Sequence, residues 1–273
     1  MMTLDPNFII VGVMKGSTSA AAVNLNMHPD LYCVTPYWKQ KVNTKYNIDN
    51  STFYGGLGET DTKEMDFFNI PANYNLGMGV YRQYFPLPRK ARGEASPNYF
   101  PANESQYTGV VERMHKCLPE AKIIVILRDP IVRTYSHWNM IQKLNPSWGG
   151  RFYGLTFKEC TVDTPSHNNL LKRSTYMENL NLYKNTFGWD NVHVTLQELI
   201  SQKPKETYNK IYEFLGLDPL RENPGYRQTF MSSYSTTIDE DTHNWLKNYF
   251  KVDVAQIQAE HPELDYTDWY TYS

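Results

Sequence analysis

Residues Phe8–Ala20 read as a short apolar strand that runs into a tight turn and then a helix of small residues. A strand that passes at once into a helix points to α/β layering, in which helices cover the faces of a sheet. The turn, Gly12-Val13-Met14-Lys15-Gly16-Ser17-Thr18-Ser19, sits where backbone N–H groups and the positive helix end converge, so an anion can lodge there. Lys15 adds a full positive charge, and Ser17, Thr18 and Ser19 add hydroxyl donors. The order is not that of the general nucleoside-triphosphate loop, G-x-x-x-x-G-K-[ST], because Lys15 precedes Gly16. Taken alone, the segment also reads as an ordinary strand–turn–helix unit with a solvated lysine.

A second segment changes that weighing. Ile123-Ile124-Val125-Ile126-Leu127 is an apolar run suited to a strand buried on both faces. Asp129 is placed to cap the following helix, and Pro130 fits its first turn. Arg128 then stands at the carboxyl end of a central parallel strand, where open α/β sheets bind ligands. Its planar guanidinium grips an oxyanion in a way lysine cannot copy. Ser136 lies about two turns into the helix, so it and Arg128 reach one phosphate only if the ligand lies along the helix start. Without the first motif, Arg128 reads as a strand-end arginine paired with a nearby carboxylate.

Together the two segments resemble the paired signatures of sulfotransferases that use 3′-phosphoadenosine-5′-phosphosulfate (PAPS). The K-x-G-T-T type loop that grips the 5′-phosphosulfate corresponds to Lys15-Gly16-Ser17-Thr18-Ser19. The L-R-D-P-x-x-R-x-x-S element that grips the 3′-phosphate corresponds to Leu127–Ser136. The chain is most similar to the carbohydrate, heparan-sulfate-type branch and its bacterial or viral relatives. That branch has a His-Pro pair after the loop helix, matched by His28-Pro29, and an acid ahead of Phe-Phe, matched by Glu64-Met65-Asp66-Phe67-Phe68. Gly93-Glu94-Ala95-Ser96-Pro97-Asn98-Tyr99-Phe100 and Phe214-Leu215-Gly216-Leu217 match two later elements, in the right order.

The resemblance implies a P-loop-like three-layer α/β fold, with helices flanking a central, mostly parallel sheet. It also implies a sulfotransferase that moves the sulfuryl group of PAPS to a hydroxyl, less readily an amine, of a carbohydrate or small-metabolite acceptor. Lys15 and Glu64 become the catalytic candidates. Lys15, Gly16, Ser17, Thr18, Ser19, Arg128, Ser136 and Tyr176 become the cofactor-binding candidates, with adenosine 3′,5′-bisphosphate as product and no metal. Tyr176 matches the family's G-x-Y-x-x-x-L helix and reads either as a contact near the nucleotide or as packing under the sheet edge. Three departures stand out: Ser17 and Ser19 occupy places often held by Thr, and Ala95 occupies one often held by Lys. No disulfide hairpin or Lys-Gly-Arg loop follows residue 217.

Length and composition fit one domain over residues 1–273, with 218–273 a C-terminal helical extension. The formal charge is −2 and charged residues are spread along the chain, giving no electrostatic footprint for nucleic acid. Cys33, Cys117 and Cys160 are scattered and form neither a zinc motif nor a disulfide framework. Met1–Pro6 lead straight into the first strand and no long apolar run occurs, so a soluble, cytoplasmic enzyme without membrane partners is expected. Neither the acceptor nor the oligomeric state is legible.

The loop helix is expected over 17–27, ended by His28-Pro29, and further helices near 74–84, 103–117, 130–143, 173–187, 205–215 and 240–250. Val192–Leu196 reads as a strand. Residues 31–62, with Lys39, Lys41 and Lys45, are long for a structureless connection, so 35–62 is expected to cover the cleft or contact the acceptor. Asp239-Glu240-Asp241 reads as an acid-rich helix start, not a metal site.

Sulfuryl transfer needs an acceptor in line with the breaking sulfur–oxygen bond, and positive side chains with N–H dipoles can stabilise the leaving phosphate without Mg²⁺. Lys15 is assigned that role. Glu64 is assigned as general base, its pKa raised by Met65, Phe67 and Phe68; Glu94 is a substitute base or part of the cleft wall. His137, one residue past Ser136, reads as structural. Two other classes stay open: a P-loop kinase, opposed by the order around Lys15, and an inactive nucleotide-binding relative, opposed by the intact Lys15, Glu64, Arg128 and Ser136.

Overall fold

The computed structural model describes residues 5–34, 36, 39, 44–45, 64–104, 107–143, 152–164, 169–227 and 238–269. Five strands make one all-parallel sheet in the order β2-β3-β1-β4-β5: β1 (Phe8–Gly12), β2 (Leu31–Cys33), β3 (Ala91–Ala95), β4 (Lys122–Leu127) and β5 (Val192–Leu196). Phe8 pairs with Gly93 on one side and Lys122 on the other, so β1 is central.

The apolar runs of β1 and β4 divide by the two-residue period of a strand. Phe8, Ile10, Ile124 and Ile126 face a layer built from helix α1 (Thr18–Leu25) and a helix at Pro204–Phe214. Ile9, Val11, Ile123, Val125 and Leu127 face the opposite layer, supplied by α2 (Val110–Cys117), α3 (Pro130–Lys143), α4 (Met177–Phe187) and a C-terminal helix at Glu240–Glu260. The last two in chain order are α5 (Pro204–Phe214) and α6 (Glu240–Glu260). The result is the expected three-layer α/β fold, with runs that are apolar throughout because both faces are covered.

Several expected boundaries move. The helix expected over 74–84 is three short turns, Pro71–Tyr74, Met78–Tyr81 and Arg82–Tyr84, and α2 begins only at Val110. Helix α6 continues to Glu260 because Leu246, Phe250, Val254 and Ile257 keep one buried stripe going. Its start is as read, with Asp239 Oδ1 accepting from the Thr242 N–H at 2.9 Å. Most of 35–62, Lys41 included, lies outside the described residues. No helix among the described residues is long and apolar enough to cross a membrane.

Two family elements turn out to be joints. His28 Nδ1 accepts from the Asp30 N–H at 3.1 Å, so Nε2 carries the proton and donates to the Asp218 carbonyl at 3.0 Å. That latch ties the end of α1 to the segment after α5. Gly216, at φ 77°, closes α5 and lets the Leu217 N–H reach back to the Tyr212 carbonyl at 2.8 Å.

Candidate active site

The chain leaves β1 toward β2 on one side, while β4 lies on the other, which puts a crevice at the carboxyl end of β1. The loop after β1 occupies that crevice. The Val13 N–H donates to the Ile126 carbonyl at 2.9 Å and the Gly16 N–H to the Val13 carbonyl at 2.8 Å. Lys15 and Ser17 both adopt left-handed backbone, φ 71° and 64°, which costs a side-chain-bearing residue about 1–2 kcal/mol. Strain of this kind persists only where the surroundings fix it, and it gathers at ligand sites. A Cβ on Gly16 would lie 2.5 Å from the Ile126 carbonyl oxygen, so only glycine lets the loop lie against β4. Thr18 is buried and Ser17 and Ser19 half-buried at the start of α1, whose buried Ala21 and Ala22 sit against the sheet.

Asp129 caps α3 as read: its Oδ1 accepts from the N–H groups of Ile131 and Val132 at 2.8 and 2.9 Å. Arg128 is thereby held at the mouth of the crevice. Its Nη1 donates to the Lys15 carbonyl at 3.0 Å, so the two sequence motifs, 113 residues apart, touch. Its Nε is buried and has no hydrogen-bond partner among the described residues. Tyr176 is fully buried and its hydroxyl donates to the Arg128 carbonyl at 2.7 Å, which fixes the arginine from behind. Ser136 lies two turns further along α3 and is buried.

More positive charge stands here than the sequence disclosed. Arg133 is fully buried, bonded through Nε to the Ser174 hydroxyl and through Nη2 to the Leu170 carbonyl at 2.5 Å. Burial brings its pKa down to about 10. Arg173 Nη1 lies 3.6 Å from Met14 Sδ on the loop, while its Nε and Nη2 bridge both oxygens of Glu104 at 2.8 and 3.0 Å. Arg173 escaped the sequence reading, though it lies three residues before Tyr176, because its partner Glu104 is 69 residues away. Burial, then the charges of Arg133, Arg173 and Lys15, hold the His137 pKa well below its usual value, so this histidine is a neutral structural group.

The acidic side of the crevice is organised by β3. Glu94 is fully buried: Oε1 accepts from the hydroxyls of Tyr81 at 2.6 Å and Tyr99 at 2.9 Å, and Oε2 from Ser96 at 2.5 Å. Ser96 Oγ in turn accepts from the N–H groups of Met65 and Asp66 at 2.8 and 3.2 Å, and Tyr99 Oη from Phe67 at 2.8 Å. Glu94 is therefore the anchor of the segment that carries Glu64, not a substitute base. Glu64 itself is half-buried, and its carbonyl accepts from the Lys39 ammonium. The carboxyl that the apolar neighbours enclose is Asp66, whose pKa is pushed up to about 7 by burial first and the Glu64 charge second. Ser96 follows β3 directly and donates its N–H to the Ile10 carbonyl at 3.1 Å, so adjacent strands deliver Glu64 and Lys15 to the same sheet edge.

The chain matches the family model for the sulfotransferase family over residues 6–222. It belongs to the sulfotransferase family. This sulfotransferase is 24% identical over 220 residues to heparan sulfate glucosamine 3-O-sulfotransferase 5 of Homo sapiens, an alignment covering 78% of the chain and 54% of the relative. It is 27% identical over 224 residues to bifunctional heparan sulfate N-deacetylase/N-sulfotransferase 1 of Mus musculus, covering 78% of the chain and 22% of that relative. The chain thus spans about half the length of the first relative and less of the second. A crystal structure of a sulfotransferase from Alicyclobacillus acidocaldarius shares the fold, with a TM-score of 0.68 and 24% identity over 97% of this chain and 99% of that one.

Proposed function

We propose that this sulfotransferase moves the sulfuryl group of PAPS to a hydroxyl of a carbohydrate or small metabolite, with Glu64 as general base and Lys15 at the leaving phosphate. The observation that carries the reading is the hydrogen bond from Arg128 to the Lys15 carbonyl, which brings the loop after β1 and the end of β4 side by side. The residues fit such a ligand on two counts. Arg128 Nε is a buried donor with no partner among the described residues, and the left-handed backbone at Lys15 and Ser17 is strain of the kind that gathers at ligand sites. The nucleotide supplies an activated sulfuryl group on a phosphate leaving group.

The protein's part divides by position. The loop N–H groups, Lys15 and the hydroxyls of Ser17, Thr18 and Ser19 hold the 5′ end and stabilise charge at the departing oxygen. Arg128 and Ser136 hold the 3′-phosphate, and Tyr176 fixes Arg128 in register for it. Glu64 takes the acceptor proton as the new oxygen–sulfur bond forms. The names of the relatives support a sugar acceptor. No group in this scheme requires a metal ion.

Calorimetry with adenosine 3′,5′-bisphosphate in EDTA tests the reading. Micromolar binding without Mg²⁺, lost in Arg128→Ala, is the expected result. Preference for Mg·ATP would instead indicate a kinase, and indifference to every nucleotide an inactive relative.

A further inference from the structure

Helix α4 starts without a cap of its own. Its N-cap position is Tyr176, whose side chain makes no bond to the first turn, so the N–H groups there need a partner from elsewhere. Tyr176 and Met177 are both buried, which makes water a poor substitute. Asp253 of α6 supplies the cap: Oδ2 accepts from the Tyr176 N–H at 2.8 Å and Oδ1 from the Met177 N–H at 3.0 Å. Its charge also meets the positive end of α4. One helical stretch further on, Glu260 Oε2 accepts from the buried Lys184 ammonium at 2.8 Å. Asp253 to Glu260 and Met177 to Lys184 are equal steps of about 10 Å, so α6 lies alongside α4 and is fastened to it at both points.

The two fastenings differ in what stands beyond them. Tyr176 donates its hydroxyl to the Arg128 carbonyl at 2.7 Å, and Arg128 Nη1 donates to the Lys15 carbonyl at 3.0 Å. Bonded residues therefore lead from Asp253 to the proposed nucleotide site. Among the described residues the Lys184 ammonium meets only Glu260, His261 and the Trp189 ring. Asp253 also lies outside the matched family region, which ends at residue 222. We propose that Asp253 is a positioning residue for the nucleotide site, acting through Tyr176 and Arg128, so that α6 is part of the working site. The proposal rests on the nucleotide reading above. Without the carboxylate the first turn of α4 frays, and the Tyr176 ring loses its fixed base. Arg128 then no longer presents its planar guanidinium at one angle, and grip on the 3′-phosphate suffers. The loop proposed for the 5′ end is spared, because the Val13 N–H ties it directly to the Ile126 carbonyl.

The test compares two nucleotides that differ only in the 3′-phosphate. By calorimetry on the intact protein in EDTA, Asp253→Ala should weaken adenosine 3′,5′-bisphosphate roughly three- to tenfold, the size of one lost cap. Adenosine 5′-monophosphate should change less than about twofold, since it lacks the group that Arg128 grips. Asp253→Asn keeps one acceptor oxygen, so it should fold and fall between native and Asp253→Ala. In an Arg128→Ala background the Asp253→Ala loss should disappear, because the two residues act in series. Glu260→Gln, which loosens the other fastening, should lower the melting temperature and leave both affinities unchanged. Amide exchange on the native protein needs no variant: the bisphosphate, and not the monophosphate, should slow the Tyr176 and Met177 N–H groups, since coupling is reciprocal. Equal losses for both nucleotides, an undiminished loss in the Arg128→Ala background, or amide exchange indifferent to the bisphosphate overturns the proposal. A native protein that binds no adenosine nucleotide, with those two N–H groups still protected, overturns the nucleotide reading on which it rests.

Discussion

The two sides of the crevice treat their polar groups differently. On the loop side the backbone is strained at Lys15 and Ser17, and a buried guanidinium nitrogen of Arg128 has no hydrogen-bond partner among the described residues. On the acidic side Glu94 already receives three hydroxyl hydrogen bonds, all from within the fold. A buried donor left unmatched costs roughly 1–3 kcal/mol, a cost that the proposed phosphate would relieve. A carboxylate matched on both oxygens needs no ligand and serves as scaffold. Charge alone does not separate a binding group from a structural one; the completeness of its hydrogen bonding does.

The sharpest way to break this contrast is to neutralise the half-buried acid between the two sides. Glu64→Gln should lower kcat by about 10²–10⁴-fold while adenosine 3′,5′-bisphosphate binds as before, measured by labelled-sulfate transfer and calorimetry. Undiminished turnover would leave the acidic side wholly structural. On the loop side, Lys15→Ala should cost about 10²–10³-fold in kcat with the melting temperature kept, since its ammonium is the group proposed at the leaving oxygen. Arg128→Ala should weaken the nucleotide by roughly 10- to 100-fold, the worth of a charge-assisted hydrogen bond, and an unchanged Kd would remove it from the 3′-phosphate site.

Two scaffold changes should move stability first. Glu94→Gln presents an amide to donors that need an acceptor, and should cost about 1–3 kcal/mol in urea unfolding. Nucleotide affinity should survive it. The smallest effect is expected from Tyr176→Phe, about 1 kcal/mol in stability, with a several-fold loss of nucleotide affinity as Arg128 loosens.

Strands β1 and β4 were legible because runs such as Ile123–Leu127 are buried on both faces and so are apolar without a break, and β5 because Val192, Val194 and Leu196 alternate along it. Strand β3, Ala91-Arg92-Gly93-Glu94-Ala95, was not, although it pairs directly with β1. Its buried Glu94 is matched by tyrosines at 81 and 99, and no local pattern announces that match. The cap at Asp129 was local and was read correctly; the anchoring of Glu64 through Ser96 was not local and was missed. The same rule explains the acids. Met65, Phe67 and Phe68 were expected to enclose Glu64, but with the backbone turned at Asp66 it is Asp66 that is enclosed, and Glu64 stays half-buried.

By itself the sequence determined the layering and the family, and it named the residues proposed to grip an anion, because each of these rests on short spacings within segments. Only the tertiary structure decided that Arg128 meets the Lys15 carbonyl, that Glu94 is scaffold, and that Asp66 is enclosed beside Glu64. Those outcomes depend on which distant donors arrive, and the free energy of a buried charge is set by its partners rather than by its neighbours in the chain.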